Sequence, residues 1–237
     1  MRCFGYKISL RLRIFRPDPE IPIDVRRAKG IIGSHSQYYE DVFLASIFRG
    51  KENGYYIDIG ANDPDEFSNT KSFYLRGWRG INVEPNRLLF EKFLAARKED
   101  VTINAGIGAA TSEMIFYQTD PHTLSTFNRE EILRSVRRGE ARIVDEKPVP
   151  IMTLSDLFRV HVQGRQVDFL SVDTEGFEYE VLSGNDWERN RPSVVVVEVD
   201  RDRTHRVHAL LADAGYERIH FNGLNAFYVD RRRFPPG

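Results

Sequence analysis

The chain has 237 residues, with 34 basic against 35 acidic side chains, and this even balance excludes a dedicated nucleic-acid binder, which would carry a basic excess. Hydrophobic residues at 41% are enough for one enzyme-sized core. A single cysteine, Cys3, allows no internal disulfide, and no run of about 20 apolar residues reads as a membrane span, so a cytoplasmic location is expected.

Residues 1–33 read as a basic arm and linker. Arg2, Lys7, Arg11, Arg13 and Arg16 precede the first acid, with Phe4, Ile8, Leu10, Leu12 and Ile14 between them. That mixture suits a weak contact with an anionic membrane surface; a solvated arm is the alternative. Pro17, Pro19 and Pro22 punctuate the linker, and the domain is expected over 34–237.

Within it, 37–48 has helical spacing with Ser36 as a cap. YYIDI at 55–59 reads as a strand ending in Gly60, and 69–77 as a helix stopped by Gly77. GINVE at 80–84 is a second strand, 87–97 a helix, VTINA at 101–105 a third strand, and 113–118 alternates as a half-exposed one. Residues 119–150 are polar and charged without a clear period, as expected of a mobile insertion near the acceptor site. Thr153 and Asp156 begin a helix over 153–160. A strand at 167–173 and a helix at 176–184 follow. The four valines of 193–199 suit a strand buried on both faces. A helix over 203–214 leads to a hairpin, 216–222 and 226–230, around Gly223. Strands alternating with helices at this spacing predict a doubly covered parallel sheet.

Ligands of such sheets bind outside the carboxyl ends of the strands. Those ends carry Asp58, Gly60, Asn62 and Asp63, then Glu84, then Asn104 and Gly106, then Asp173 and Glu175, then Glu198 and Asp200. The first turn, DIGANDP, lacks the G-x-G-x-x-G needed by a pyrophosphate, and its acids would repel one. They suit a ligand bearing an ammonium group and a ribose diol, which S-adenosylmethionine has beside its sulfonium. Glu84 would accept from the ribose hydroxyls.

DIGAND at 58–63, FSNT at 67–70, GWRGINVEPN at 77–86 and VDTEGFEYEVLSG at 172–184, with SQYYEDVF at 36–43, resemble the FkbM family of S-adenosylmethionine-dependent methyltransferases. Pro64 stands where members commonly have glycine. The resemblance implies an α/β, Rossmann-like class I methyltransferase fold. Its sheet has seven mostly parallel strands, helices on both faces and a C-terminal antiparallel hairpin. It implies O-methylation of a sugar hydroxyl in a glycan, glycolipid or natural product. Asp58, Gly60 and Asn62 would shape the methionine pocket, Glu84 would hold the ribose, and Asn104 to Ile107, Gly106 included, would border the adenine. Asp173 would stand at the methyl-transfer face.

A sugar hydroxyl has a high pKa, so a base or a metal must help remove its proton. Candidates for the base are Asp173, Glu175, Glu198, His122 and His205; a surface-loop role for His122 is the alternative. Asp173 and Glu198 on adjacent strand ends, with Glu175, form a candidate oxygen-ligand site for Mg²⁺ or Mn²⁺, against a hydrogen-bonded acid pair. Tyr117, Phe127 and Trp187 are candidates to line a sugar face. The competing functional readings are a non-catalytic member of the fold and a nicotinamide-dependent oxidoreductase.

Overall fold

In chain order, α1 (Glu40–Ile47) leads to β1 (Tyr55–Ile59), α2 (Lys71–Leu75), β2 (Arg79–Val83), α3 (Arg87–Ala96), β3 (Val101–Ile103), β4 (Gly106–Gly108) and β5 (Ser112–Asp120). A 3-10 turn at His122–Leu124 precedes α4 (Arg129–Arg137) and the long β6 (Arg142–Thr153). Then come α5 (Leu154–Leu157), β7 (Phe169–Val172), α6 (Glu178–Ser183), β8 (Val194–Glu198), α7 (Thr204–Asp213), β9 (Tyr216–Phe221) and β10 (Asn225–Asp230). This computed structural model describes residues 33–199 and 204–235. The expected membrane contact of residues 1–32, and Asp200, lie outside the described residues. Among those described, no helix is long and apolar enough to cross a membrane.

The main sheet has seven strands in the order β3-β2-β1-β7-β8-β10-β9. Strands β3, β2, β1, β7 and β8 run parallel, and β10 is antiparallel to both β8 and β9. This is the mostly parallel sheet with a C-terminal hairpin expected of the class I methyltransferase fold. The order reverses between β1 and β7, which places the ligand crevice at their carboxyl ends.

Side chains alternate across the sheet into two apolar layers. Ile57, Ile59, Val195 and Val197 join Leu154, Val181, Leu182, Val207 and Leu211 of the helices on one face. Tyr56, Phe169, Val194 and Val196 meet Leu44, Phe73 and Trp78 on the other. The four valines of β8 are at most 1% exposed. Burying each is worth about 1.5–3 kcal/mol, against about 1 kcal/mol for the whole strand-propensity scale, so packing fixes this strand at the centre.

Several local readings need correction. Ser36 does not cap α1; Tyr39 occupies that position, while the Ser36 hydroxyl donates to Asp41 Oδ1 at 2.8 Å. The third strand ends at Ile103, and Gly106–Gly108 joins a second sheet, β4-β6-β5, instead. The 119–150 segment is not irregular. It holds the end of β5, α4 and most of β6. Asn128 caps α4 by accepting from the Glu130 and Glu131 N–H groups at 3.1 Å, and two acids in the first turn complement the helix dipole. β6 runs through Pro148 and Pro150, which oppose Ile115 and Glu113 of β5. Proline has no N–H to give a ladder, and β6 is joined to β4 only from Ile151 onward, so both prolines lie where one side is open.

Candidate active site

At the end of β1 the backbone passes so close to β7 that a Cβ on Gly60 would lie 1.8 Å from the carbonyl oxygen of Asp173. Its φ is +75°, so glycine is required twice over. The turn then brings the Asn62 N–H to Glu84 Oε2 at 2.7 Å, and the Asn86 N–H reaches Glu84 Oε1 at 2.7 Å. Each carboxylate oxygen keeps a lone pair for another donor. Burial pushes the Glu84 carboxyl up to about 8, helped by the charge of Asp58 and opposed by the two N–H groups. Asp58 accepts from the Thr70 hydroxyl at 2.9 Å, and burial raises it to about 6 despite that bond.

Parallel strands β7 and β8 end side by side and deliver Asp173 and Glu198, with Glu175 in the following turn at φ 54°. Each offers a carboxylate oxygen within 4.8 Å of the others. Burial, then the charge of Glu178, lifts Asp173 to about 7, while a hydrogen bond with Glu198 works the other way. Burial and the Asp173 charge hold Glu175 and Glu198 well above the usual carboxylate range. Three acids this close cannot all be ionised unless a cation lies among them.

These groups face one cavity of about 410 Å³, walled by Asp58, Gly60, Asn62, Glu84, Gly106, His122, Asp173, Glu175 and Glu198. That volume lies in the ordinary range for small-molecule sites. Gly106 has no room for a side chain because Ile151 and Phe127 pack against it. Asn104 stands behind the wall, where its Nδ2 donates to the carbonyls of Glu84 and Pro85 at 2.8 and 3.0 Å. His205 is exposed on α7 and does not face the cavity. Of the three aromatic candidates only Phe127 lines it; Trp187 packs edge-on against Tyr216. Val83, Leu89, Ala105 and Ile107 give the cavity an apolar side.

Sequence reasoning missed Gln37, Tyr38, Phe67, Asn69 and Leu224, which also line the cavity. Phe67 carries a structural signal, since it is exposed and holds a left-handed φ of 55°, conformations that cluster at functional sites. Leu224 arrives from the β9–β10 turn; the hairpin around Gly223 is legible in the sequence, but its reach to the cavity is not.

The donor set decides what fits. Asn62 Oδ1 is buried and has no hydrogen-bond partner, and the carboxylates of the wall accept without donating when ionised. A ligand with positive charge and a pair of hydroxyls completes these groups, and S-adenosylmethionine meets that description. A pyrophosphate does not.

A family model described as methyltransferase FkbM domain matches residues 58–218. A search of curated proteins finds no match. Among solved structures, the chain is similar to a TehB-like SAM-dependent methyltransferase from Corynebacterium glutamicum ATCC 13032 Kitasato at 9% identity and a TM-score of 0.44, covering 86% of this chain and 95% of that one. The METTL16 MTase domain is 9% identical with a TM-score of 0.45, over 80% of this chain and 64% of that one. A precorrin-6y C5,15-methyltransferase from Geobacter metallireducens GS-15 is 12% identical with a TM-score of 0.38, over 80% and 85%.

Proposed function

The chain belongs to the methyltransferase FkbM domain family, and from that membership we propose that it moves a methyl group from S-adenosylmethionine to a sugar hydroxyl of a glycan, glycolipid or glycosylated natural product. The observation that carries this reading is a cavity ringed by acids from four strand ends, with Asn62, whose buried Oδ1 has no partner, among its lining residues. Glu84 would accept from the ribose diol, Asp58 and Asn62 would hold the methionine ammonium, and the Ala105–Ile107 backbone with Val83 and Leu89 would border the adenine. When bound, S-adenosylmethionine supplies a methyl group already activated by its sulfonium. The protein therefore has to align the acceptor oxygen and remove its proton.

Asp173 is the base. A carboxyl raised to about 7 is ionised in part at neutral pH and basic enough to accept the hydroxyl proton. Glu198 shares a proton with it, and His122 at the cavity wall is the second candidate. The mutual approach of Asp173, Glu175 and Glu198 supports a second reading, in which their oxygens hold Mg²⁺ against the acceptor. Methyl transfer in EDTA, with Mg²⁺ added back, separates the two: undiminished activity in EDTA leaves only the proton-sharing acids.

Thermal shift tests the cofactor first. S-adenosylmethionine and S-adenosylhomocysteine are expected to raise the melting temperature and NAD to leave it unchanged. Labelled methyl transfer to a panel of saccharides tests the acceptor, and incorporation only into amines or thiols would overturn the sugar reading.

Two further results are expected. Glu84→Gln places an amide N–H₂ against one of two backbone N–H donors and removes an acceptor from the ribose. Affinity for S-adenosylhomocysteine should fall by about 1–3 kcal/mol with the fold retained, and calorimetry showing no change would remove Glu84 from the site. Cofactor binding near pH 7 should also release protons. A cation and hydroxyl donors favour the ionised forms of Glu84, raised to about 8, and Asp173, raised to about 7, so both shed protons as the ligand arrives. Binding enthalpies measured in buffers of different ionisation heat read the sign, and proton uptake would contradict it.

A further inference from the structure

Arg97 follows α3 and is buried to 2% exposure, although it faces no part of the cavity. Two rings bracket its guanidinium, Tyr74 at 4.8 Å and Phe93 at 5.6 Å. Its Nη2 donates to the Pro64 carbonyl at 2.6 Å and to Ser68 Oγ at 3.1 Å. Ser68 Oγ lies 3.3 Å from Thr70 Oγ1, and Thr70 donates to Asp58 Oδ2 at 2.9 Å.

The direction of every bond in this chain is fixed by proton counting. A guanidinium only donates, and an ionised carboxylate only accepts. Thr70 has spent its one hydroxyl hydrogen on Asp58, so Ser68 must donate to Thr70. All the dipoles therefore point from the guanidinium towards the carboxylate, each polarising the next, with charge at both ends. The Nη1 arm meets Tyr56 OH at 3.3 Å, and that hydroxyl donates to Asp100 at 2.5 Å. The loop 60–70 is thus gripped at Pro64 and Ser68 by one buried cation, and this loop carries Asn62, Phe67 and Asn69 of the cavity wall.

We propose that Arg97 is a positioning residue for cofactor binding: through Ser68 and Thr70 it holds Asp58 ionised and oriented, and through Pro64 it fixes the loop that presents Asn62. The inference rests on S-adenosylmethionine being the cofactor. Other charged groups bear on Asp58 as well. Asp100 on the far side of Arg97 and the pocket acids Glu84 and Asp173 repel its charge, and Arg97 is the cation that offsets them. The Ser171 hydroxyl also bonds Asp58 and accepts from Asn69 Nδ2 at 3.1 Å.

The test is calorimetry of S-adenosylhomocysteine binding between pH 5 and 8 for the wild type, Ser68→Ala and Arg97→Lys, with melting curves for each. Ser68→Ala cuts the chain with the loss of one hydroxyl. It should weaken binding about fivefold at pH 7, the equivalent of one hydrogen bond. It should also move the acid limb of the affinity profile upward, because Asp58 then protonates more readily. Arg97→Lys keeps the charge but not the fork, so binding should weaken with a smaller movement of the limb. A merely structural role would lower the melting temperature and leave the pH profile in place. Wild-type affinity and an unmoved acid limb in folded Ser68→Ala would overturn the proposal. A wild-type protein that binds no S-adenosylhomocysteine would overturn the cofactor reading itself, and this inference with it.

Discussion

Gly60→Ala is expected to abolish measurable S-adenosylhomocysteine binding and to destabilise the fold by about 2–5 kcal/mol. Left-handed backbone costs an L-residue about 1–2 kcal/mol, and overpacking adds about 1–3 kcal/mol. Neither neighbour can yield cheaply. The Gly60 and Ala61 N–H groups both donate to the Val83 carbonyl, at 3.0 and 3.1 Å, while the Asp173 carbonyl closes the other side. Relief would require β1 to part from β7, and that separates Glu84 and Asn62 from the Asp173 cluster. Thermal unfolding and calorimetry together check the result. Wild-type affinity in this variant would mean that the two strand ends need not approach so closely for binding.

Asp173→Asn is expected to lower methyl-transfer turnover by about 10²–10⁴-fold, the usual contribution of a general base. The same substitution should stabilise the protein at alkaline pH. The folded-state pKa of Asp173, about 7, lies above its ordinary value, so the stability it contributes is complete at low pH and is lost as pH rises through about 7. An amide has no such loss. It also removes a charge that holds up Glu175 and Glu198. The expected variant is therefore inactive, folded, and higher-melting than the wild type at pH 8. Full turnover in a folded variant would remove Asp173 both as base and as metal ligand.

The acids of the site could be read from the sequence because strand ends can be. YYIDI, GINVE, VDFLSVD and SVVVVEV each stop on or beside a carboxylate, and parallel packing then brings those stops together. The 119–150 segment could not be read the same way. Pro148 and Pro150 and a run of charges argue against a strand, and only the one-sided pairing of β6 makes them tolerable. The Asn128 cap and two acids of α4 were present, but Ile132 is its one fully buried apolar side chain, too little for a period to show. Tyr38, Phe67 and Leu224 reach the cavity through loops whose approach is decided by tertiary packing. Arg97 was hidden for another reason: an arginine beside lysine and acids at a helix end reads as a solvated charge, and here it is among the most buried side chains.

The two prolines of β6 bear on how this protein behaves among other copies of itself. A small mixed sheet with an unpaired flank invites a strand from another molecule, and growth along such a flank is how ordered aggregates begin. Along 142–150 the flank carries Arg142, Asp145, Glu146 and Lys147, and at Pro148 and Pro150 it has no amide hydrogen to offer an incoming chain. The residues that obscure the strand in the sequence thus keep the sheet beside the pocket from becoming a template.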